Sequence, residues 1–278
     1  MKKIPLSSRL VAICAATLAS ASSSLHAEEL IVIPVIENNG AVVKNHGSLP
    51  DANLRGEGRT PPAVVLAGIH GTGHAIAFSH EQTGRPKNYQ SLEIDSEGMD
   101  FLKKFTVTLW FTVDEVNANN PVGDRGRATL FSTLANDGSG GFEMVLNPSP
   151  YGMQVEVRAS DGTTTVADYL PYTVRSNVAD GQWNFIALVY DAGSPTGKFQ
   201  LYAGDVYGAA TRMLQDQPQK TDQIQYLGNS TANRISIGDG FHKWSTNSSH
   251  RGLIDNIHVV DEALSPSEVE ALRQVALQ

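Results

Sequence analysis

Short runs of apolar residues recur along most of this chain, and in many of them apolar and polar positions alternate. The clearest run, residues 105–111, is rich in the β-branched and aromatic residues that favour strands. Turn-forming pairs such as Asp137-Gly138 and Asp180-Gly181 separate the runs. Many short strands at intervals of roughly 8–12 residues predict an all-β sandwich or jelly roll.

The predicted strands cover most of the chain beyond residue 28, and helix is nearly absent from the pattern. Residues 44–62 are rich in glycine, asparagine and proline and on their own are typical of a linker. The predicted strands lie at residues 30–33, 42–43, 71–78, 89–94, 105–111, 128–133, 141–146, 153–158, 163–167, 183–190, 198–203, 235–237 and 253–260.

The last predicted strand has two largely apolar faces. Strict alternation places Leu253, Ile257 and Val259 on one face, with Asp255 among them. Residues 254, 258 and 260 then point to the other face. A strand that is apolar on both faces is expected in the middle of a sheet that is covered on both sides.

A short helix is predicted directly after this strand. Ser265 is the expected N-cap, Pro266 occupies the first helical position, and Glu268 completes a capping box. Leu264, before the cap, and Val269, after it, are spaced for a hydrophobic staple. The helix is therefore expected to close the chain.

The first residues are typical of a secretory signal peptide. A basic start, an apolar run at 10–18 and a region of small residues that ends at Ala27 form the usual three parts. The apolar run is too short for a permanent membrane span, although an uncleaved anchor is the alternative. We predict cleavage of residues 1–27, a mature chain of residues 28–278, and export to the periplasm, the cell surface or the medium.

The mature chain is acidic and has no cysteine. Removal of Lys2, Lys3 and Arg9 leaves 18 basic against 29 acidic residues, a net charge of −11, and Cys14 is lost with them. Without disulfides, the core must hold the fold together. The negative charge argues against nucleic acid and anionic membranes as partners and is compatible with cations and neutral sugars. No other apolar stretch is long enough to predict membrane insertion.

Several segments resemble laminin-G-like jelly-roll domains of exported bacterial proteins, a group that is also described as concanavalin A-like or pentraxin-like. This resemblance implies one domain over residues 28–278, with two antiparallel sheets and a short C-terminal helix. It also implies a non-catalytic binding role and keeps residues 44–62 inside the domain. The matching segments are Gly252, Ile254-Asp255-Asn256-Ile257, Ala263-Leu264-Ser265, Glu268-Val269, the Phe105–Trp110 strand and Trp183 to Asp191.

The resemblance also implies a structural calcium ion near Asp255, with backbone carbonyls as further ligands. Calcium requires several oxygen ligands, and one carboxylate cannot supply them alone. These domains usually have Asp-Gly where this chain has Ser79-His80. The second half of the calcium site therefore differs from the family pattern. In the alternative interpretation, Asp255 caps backbone amides.

Residues 239–250 are the best candidate for a binding loop. Aromatic side chains stack on the C–H faces of sugars, while amide and hydroxyl groups bond to sugar hydroxyls. Alternatively, Trp244 packs beneath its own loop. The candidate sugar-binding residues are Phe241, His242, Trp244 and Asn247, joined by Tyr151 and Tyr207 if these lie at the same rim.

Three alternating carboxylates, Glu93, Asp95 and Glu97, indicate a possible enzyme. Residues at positions i, i+2 and i+4 of a strand share a face, and carboxylates so placed can serve a retaining glycosidase. Laminarinases and lichenases, which have a similar fold, carry a motif of this kind. The alternative is an exposed acidic strand end.

Three functional hypotheses follow from these observations. The first is a non-catalytic module that binds carbohydrate or another cell-surface ligand through loops at the rim of the sandwich. The second is a structural or adhesion protein that binds other proteins and has no sugar site. The third is a glycoside hydrolase that uses the Glu93–Glu97 segment. The binding module is favoured, because the resembling domains are mostly binding modules.

Overall fold

The structure is a computed structural model, and its strands form two antiparallel sheets. All structural statements below refer to the residues that it describes. These are residues 27–33, 38–39, 41–57, 61–69, 73–78, 89–95, 102–113, 128–134, 140–149, 152–160, 165–174, 183–195, 197–213, 234–239, 250 and 252–278.

The first sheet has the order β15-β14-β13-β8-β17-β6-β5, and β1 pairs with the second half of β17. Strand β17 therefore lies in the middle of the sheet, as its two apolar faces predicted. The strands are β1 (Glu29–Ile33), β5 (Ala63–Val65), β6 (Ala75–Phe78), β8 (Lys104–Phe111), β13 (Asn184–Asp191), β14 (Phe199–Asp205), β15 (Thr211–Met213) and β17 (Gly252–Val260).

The second sheet has the order β12-β11-β10-β9-β16-β7-β4-β3-β2. It includes early strands and late strands, so the beginning and the end of the described chain belong to the same sandwich. The strands are β2 (Asn38–Asn39), β3 (Val42–Val43), β4 (Ala52–Glu57), β7 (Tyr89–Asp95), β9 (Ala128–Ser132), β10 (Gly141–Ser149), β11 (Gly152–Ser160), β12 (Thr165–Val174) and β16 (Arg234–Ile237).

The main core lies between the sheets and is formed by alternate residues of both. Phe105 of the first sheet stacks on Phe142 of the second with ring centroids 4.7 Å apart, and Phe131 stacks on Phe142 at 5.6 Å. Both sheets therefore contribute aromatic side chains to one layer, in which aromatic pairs add to the free energy gained from burial.

The outer face of the first sheet has a smaller core beneath the C-terminal helix α1 (Pro266–Val275). Trp110 and Phe185 pack there with Val269 of the helix. The predicted helix start is confirmed: the Ser265 hydroxyl accepts from the Glu268 amide, and the Glu268 carboxylate accepts from the Ser265 amide. The prediction that β17 is covered on both faces is also confirmed.

The predicted facing of β17 is wrong in its first half. The register against β8 shifts between Asp255 and His258, and Asn256 has a φ of +51°. This bulge places Ile254 in the main core together with Ile257 and Val259, while Leu253 packs under the helix. One extra residue reverses the alternation, and asparagine tolerates the left-handed backbone that the bulge requires.

The all-β class and the two-sheet jelly roll with a short C-terminal helix are confirmed. Most predicted strands are present within a few residues of their predicted limits. The pattern missed β2, β4, β5 and β15, and β4 lies in the segment whose composition is typical of a linker. No helix in the described part of the chain is both long enough and apolar enough to cross a membrane.

Candidate functional site

The predicted binding loop leaves the second sheet after β16 and returns to the first sheet at β17. Its two ends meet, because the amide of His250 donates to the carbonyl of Gly238 over 2.6 Å. Gly238 has a φ of +84°, and a Cβ there would lie 2.2 Å from the ring of Phe78. Only glycine fits this backbone and this space. Phe241, His242, Trp244 and Asn247 themselves lie outside the described residues.

His250 closes the base of this loop from inside the protein. Its ring is fully buried and meets Phe78 and Phe111 edge to face, with centroids 5.9 Å and 6.3 Å apart. Burial lowers the pKa of His250 to about 4, because the charged imidazolium loses its hydration. The imidazole is therefore neutral at pH 7 and belongs to the apolar base of the loop.

The turn that carries Tyr207 lies at the same end of the first sheet. Asp205 pairs with Asn184, Asn184 with Phe111, and Phe111 with Ile254 at the start of β17. Three strand spacings separate Asp205 from Ile254, a distance of ~14 Å. Tyr207 is 94% exposed, so its ring is available to a ligand.

This turn is held in place by its own aspartate and by the C-terminal helix. The Asp205 carboxylate accepts from the Tyr207 amide over 2.7 Å, and Arg273 donates to the Asp205 carbonyl over 2.7 Å. Glu270 accepts from the amide of Ala210, also over 2.7 Å. The exposed ring of Tyr207 thus stands on a fixed backbone.

The strand ends that flank Tyr151 point to this rim as well. Ile237 pairs with Phe131, and Phe131 pairs with Met144, so β16 and β10 run in the same direction. The paired ends of β10 and β11, at Ser149 and Gly152, lie about 17 Å beyond Met144, on the side where β16 gives way to the loop. Tyr151 itself lies outside the described residues.

The outer face of the second sheet is polar and yet buried. Side chains on alternate positions of β7, β9, β10, β11 and β16 point away from the main core. Eight of these polar residues are each at most 8% exposed: Ser91, Glu93, Thr129, Ser132, Glu143, Glu156, Ser160 and Ser236. We call this set of residues, together with Arg158 and Arg234, the polar face.

Glu143 is the most perturbed carboxyl group of the polar face. Burial raises its pKa to about 7, while a hydrogen bond from the Thr129 hydroxyl over 3.0 Å and the charge of Arg158 act in the opposite direction. The nearby charges of Glu156 and Asp239 raise the pKa further. Near neutral pH, Glu143 can therefore gain or lose a proton.

The predicted catalytic trio is only partly described. Glu93 is buried in the polar face, where its carboxylate pairs with Arg234 at 3.2 Å and accepts from Ser91 at 3.0 Å. Asp95 is exposed at the end of the same strand, and Glu97 lies outside the described residues. The structure thus shows Glu93 as an ion-paired group within a larger polar layer.

Asp255 makes short hydrogen bonds to backbone amides. Its Oδ2 accepts from the Ile69 amide at 3.0 Å, and its Oδ1 accepts from the Asn256 amide at 2.7 Å. Burial raises the pKa of Asp255 to about 6. These contacts match the capping interpretation, and calcium near Asp255 stays a prediction. Within the described residues, no three His, Cys, Asp or Glu side chains are grouped to hold a metal.

Sequence reasoning missed Glu143, Glu156, Arg158 and Ser236. A signal was present, because Glu143 alternates with apolar Phe142 and Met144, and β11 shows the same alternation. Alternation, however, predicts only that these side chains leave the core. It does not predict that they lie side by side on neighbouring strands and are buried there.

The fold and the rim define a class of two-sheet jelly rolls in which loops gather at one end of the sandwich. Residues 86–270 match the model of a protein family described as the concanavalin A-like lectin/glucanases superfamily, in its laminin-G-like form. This match covers more than half of the chain, and the protein belongs to that family. No curated protein matches the chain in sequence.

Solved structures with the same fold include binding domains of larger proteins. One is domain 4 of AbnA, a GH43 extracellular arabinanase from Geobacillus stearothermophilus, in complex with arabinotriose. It is 16% identical at a TM-score of 0.55, over 89% of this chain and 99% of that one.

Two toxin structures cover a similar share of this chain. The binding domain of Paraclostridial Mosquitocidal Protein 1 is 16% identical at a TM-score of 0.57, over 88% of this chain and 51% of that one. The receptor-binding domain of botulinum neurotoxin type G is 11% identical at a TM-score of 0.56, over 89% of this chain and 51% of that one. At sequence identities this low, the similarity to these structures shows a shared fold only.

Proposed function

We propose that the protein is an exported, non-catalytic binding module that holds a carbohydrate ligand at the loop rim. One observation carries the proposal. The pairing of both sheets brings the ends of the 239–250 loop, the strand ends that flank Tyr151 and the turn of Tyr207 to one end of the sandwich. An exposed aromatic side chain on this rim, such as that of Tyr207, suits the C–H faces of sugars.

Two further facts support this ligand class. The domain of the arabinanase, which has the same fold, was solved with an arabinose trisaccharide. The acidic mature chain is also better suited to neutral ligands than to polyanions.

A glycan array with rim variants tests the proposal. We expect the wild-type protein to bind a subset of neutral glycans, and we expect Trp244→Ala and Tyr207→Ala to weaken this binding at unchanged melting temperature. Leu66→Ala is the matched control, because Leu66 is 76% exposed and follows β5, which lies at the opposite edge of the first sheet from the turn of Tyr207. If both rim variants bind glycans as strongly as the wild-type protein, the rim is not the binding site.

The array, together with assays of protein binding and of glycan hydrolysis, distinguishes the proposal from its alternatives. A protein that binds no glycan but retains a protein ligand would be an adhesion module. Hydrolysis of β-glucans that is abolished by Glu93→Gln would identify a glycosidase. Cell fractionation and N-terminal sequencing of the exported protein test the predicted cleavage after residue 27.

A further inference from the structure

The start of β1 is tied to the end of β17 by a reciprocal contact between Glu28 and Asp261. The amide of Glu28 donates to the Asp261 carboxylate over 2.6 Å, and the Asp261 amide donates to the Glu28 carbonyl over 3.2 Å. The two residues are 233 positions apart in the chain. Their contact extends the pairing of the two strands, in which Glu29 lies opposite Val260. Asp261 therefore holds the start of β1 with both its backbone and its side chain.

The position of β1 matters to the rest of the sandwich. Its residues Ile31 and Ile33 belong to the main core, and the strand pairs with the second half of β17. On its other side, the amides of Ser48 and Leu49 donate to carbonyls of the same strand. A contact that fixes the start of β1 thus supports the core and the central strand together.

The predicted signal-peptide cleavage lies immediately before Glu28. Hydrolysis of the peptide bond after Ala27 leaves a carboxylate on Ala27 and an α-amino group on Glu28. In peptides the pKa of an α-amino group is about 8, so this group is mostly a cation at pH 7. The nitrogen that gains the charge is the one that lies 2.6 Å from the Asp261 carboxylate. A hydrogen bond between opposite charges is stronger than one from a neutral amide.

We propose that removal of the signal peptide creates an ion pair between the α-ammonium of Glu28 and the carboxylate of Asp261, and that this pair locks β1 onto the first sheet. The proposal rests on the cleavage after residue 27 that is predicted above, and it does not depend on any ligand. In the precursor the same nitrogen is a neutral amide, so the contact is weaker before cleavage. Processing of the exported chain therefore completes the first sheet.

The charges around this contact favour a cation at the Glu28 nitrogen. The adjacent residues Glu29 and Glu262 are acidic, as is Asp261 itself. Lys104 lies on β8, two residues before the partner of Val260 in the register, and its ammonium pairs with Asp191 at 3.4 Å. Among the side chains that the structure describes, none forms a salt bridge with Asp261. The new α-ammonium thus meets a carboxylate that has no competing cation in this part of the chain.

A double-mutant cycle on the N-terminus tests the ion pair. A chain that starts at Glu28 is compared with one that starts at Ala27, where the ammonium lies roughly 3.5 Å further along the chain. Both are released from a removable N-terminal fusion, each with and without Asp261→Asn. We expect the Glu28 start to melt about 2 °C above the Ala27 start, because the pair is exposed and its contribution is small. Asp261→Asn should abolish this difference, and 1 M NaCl should reduce it.

Asp51→Asn is the matched control. Its carboxylate pairs with Lys44 and accepts from the Asn45 amide, so the difference between the two starts should persist in this variant. Equal melting of both starts, or a difference that survives Asp261→Asn, overturns the ion pair. N-terminal sequencing of the exported protein tests the premise separately, and a mature chain that begins at another residue also overturns the proposal. Glycan binding at the rim is measured independently and depends on neither result.

Discussion

Glu143 and His250 are buried titratable groups that respond to pH in opposite ways. Burial disfavours the charged form of each, and so it raises the pKa of Glu143 to about 7 and lowers the pKa of His250 to about 4. A rise in pH charges Glu143 inside the protein and therefore destabilises the folded state. A fall in pH charges His250 inside the protein and therefore also destabilises the folded state.

Replacement of Glu143 by glutamine should stabilise the protein at alkaline pH. Between pH 4.5 and 7 the unfolded chain releases this proton while the folded protein retains it, so the wild-type protein loses about 3 kcal/mol of unfolding free energy. In urea unfolding, the free energy of unfolding of Glu143→Gln minus that of the wild-type protein should be about 3 kcal/mol larger at pH 8 than at pH 4. Glu93→Gln, which breaks the pair with Arg234, is the control. An equal difference at both pH values would contradict this assignment.

Replacement of His250 should reduce acid sensitivity. Below pH 6.5 the unfolded chain binds a proton that the folded protein takes up only near pH 4, so stability falls as the pH drops through this range. His258 is buried with a pKa of about 4 and contributes similarly. In urea unfolding, we expect the free energy of unfolding of His250→Phe, relative to that of the wild-type protein, to rise by about 3 kcal/mol between pH 6.5 and pH 4. His46→Phe, at an exposed histidine, should change nothing.

At the scale of elements, the C-terminal helix connects the outer core to the rim. Its buried side, with Val269, covers Trp110, while Glu270 and Arg273 bond to the turn that presents Tyr207. Arg273 also pairs with Glu270 at 2.7 Å, which lowers the pKa of Glu270 to about 2. The helix therefore supports a candidate binding element that lies some 60 residues earlier in the chain.

Loss of the N-cap should weaken this helix. Ser265→Ala removes the acceptor for the Glu268 amide, and we expect a cost of about 1 kcal/mol in unfolding free energy. Thermal unfolding measures this cost. Ser267→Ala alters an exposed serine that does not cap the helix, and its effect should be smaller. Equal effects would show that the cap contributes little.

At the scale of the whole molecule, the two sheets differ in what lies on their outer faces. The first sheet carries a second apolar core beneath the helix, and the second carries the buried polar face. A layer of paired polar groups adds less stability than an apolar layer would.

Calcium remains a prediction of the family resemblance, and thermal melting tests it. An ion that binds only the folded protein raises the melting midpoint, so the prediction requires a higher midpoint in calcium than in chelator. Asp255→Asn should abolish this rise. Equal midpoints in calcium and chelator would agree with the amide contacts of Asp255 and would contradict the calcium site.

Local pattern accounted for much of the fold because strand periodicity and caps are short-range properties. Residues 105–111 and the Ser265–Glu268 cap were predicted from neighbours a few positions away. Strand β4 was missed because its sequence, Ala-Asn-Leu-Arg-Gly-Glu, has little β-propensity and is stabilised by pairing with β7. Strict alternation failed in β17, where the bulge at Asn256 depends on the neighbouring strands.

The sequence by itself determined the all-β class, the family and the C-terminal helix, because hydrophobic periodicity and helix capping depend on residues that lie close together in the chain. Only the tertiary structure decided which polar residues meet. Glu93, Ser236 and Glu143 are far apart in the chain, and the pairing of β7, β16, β9 and β10 alone places them in one row. Their burial, and with it the raised pKa of Glu143, follows from that assembly rather than from any local pattern.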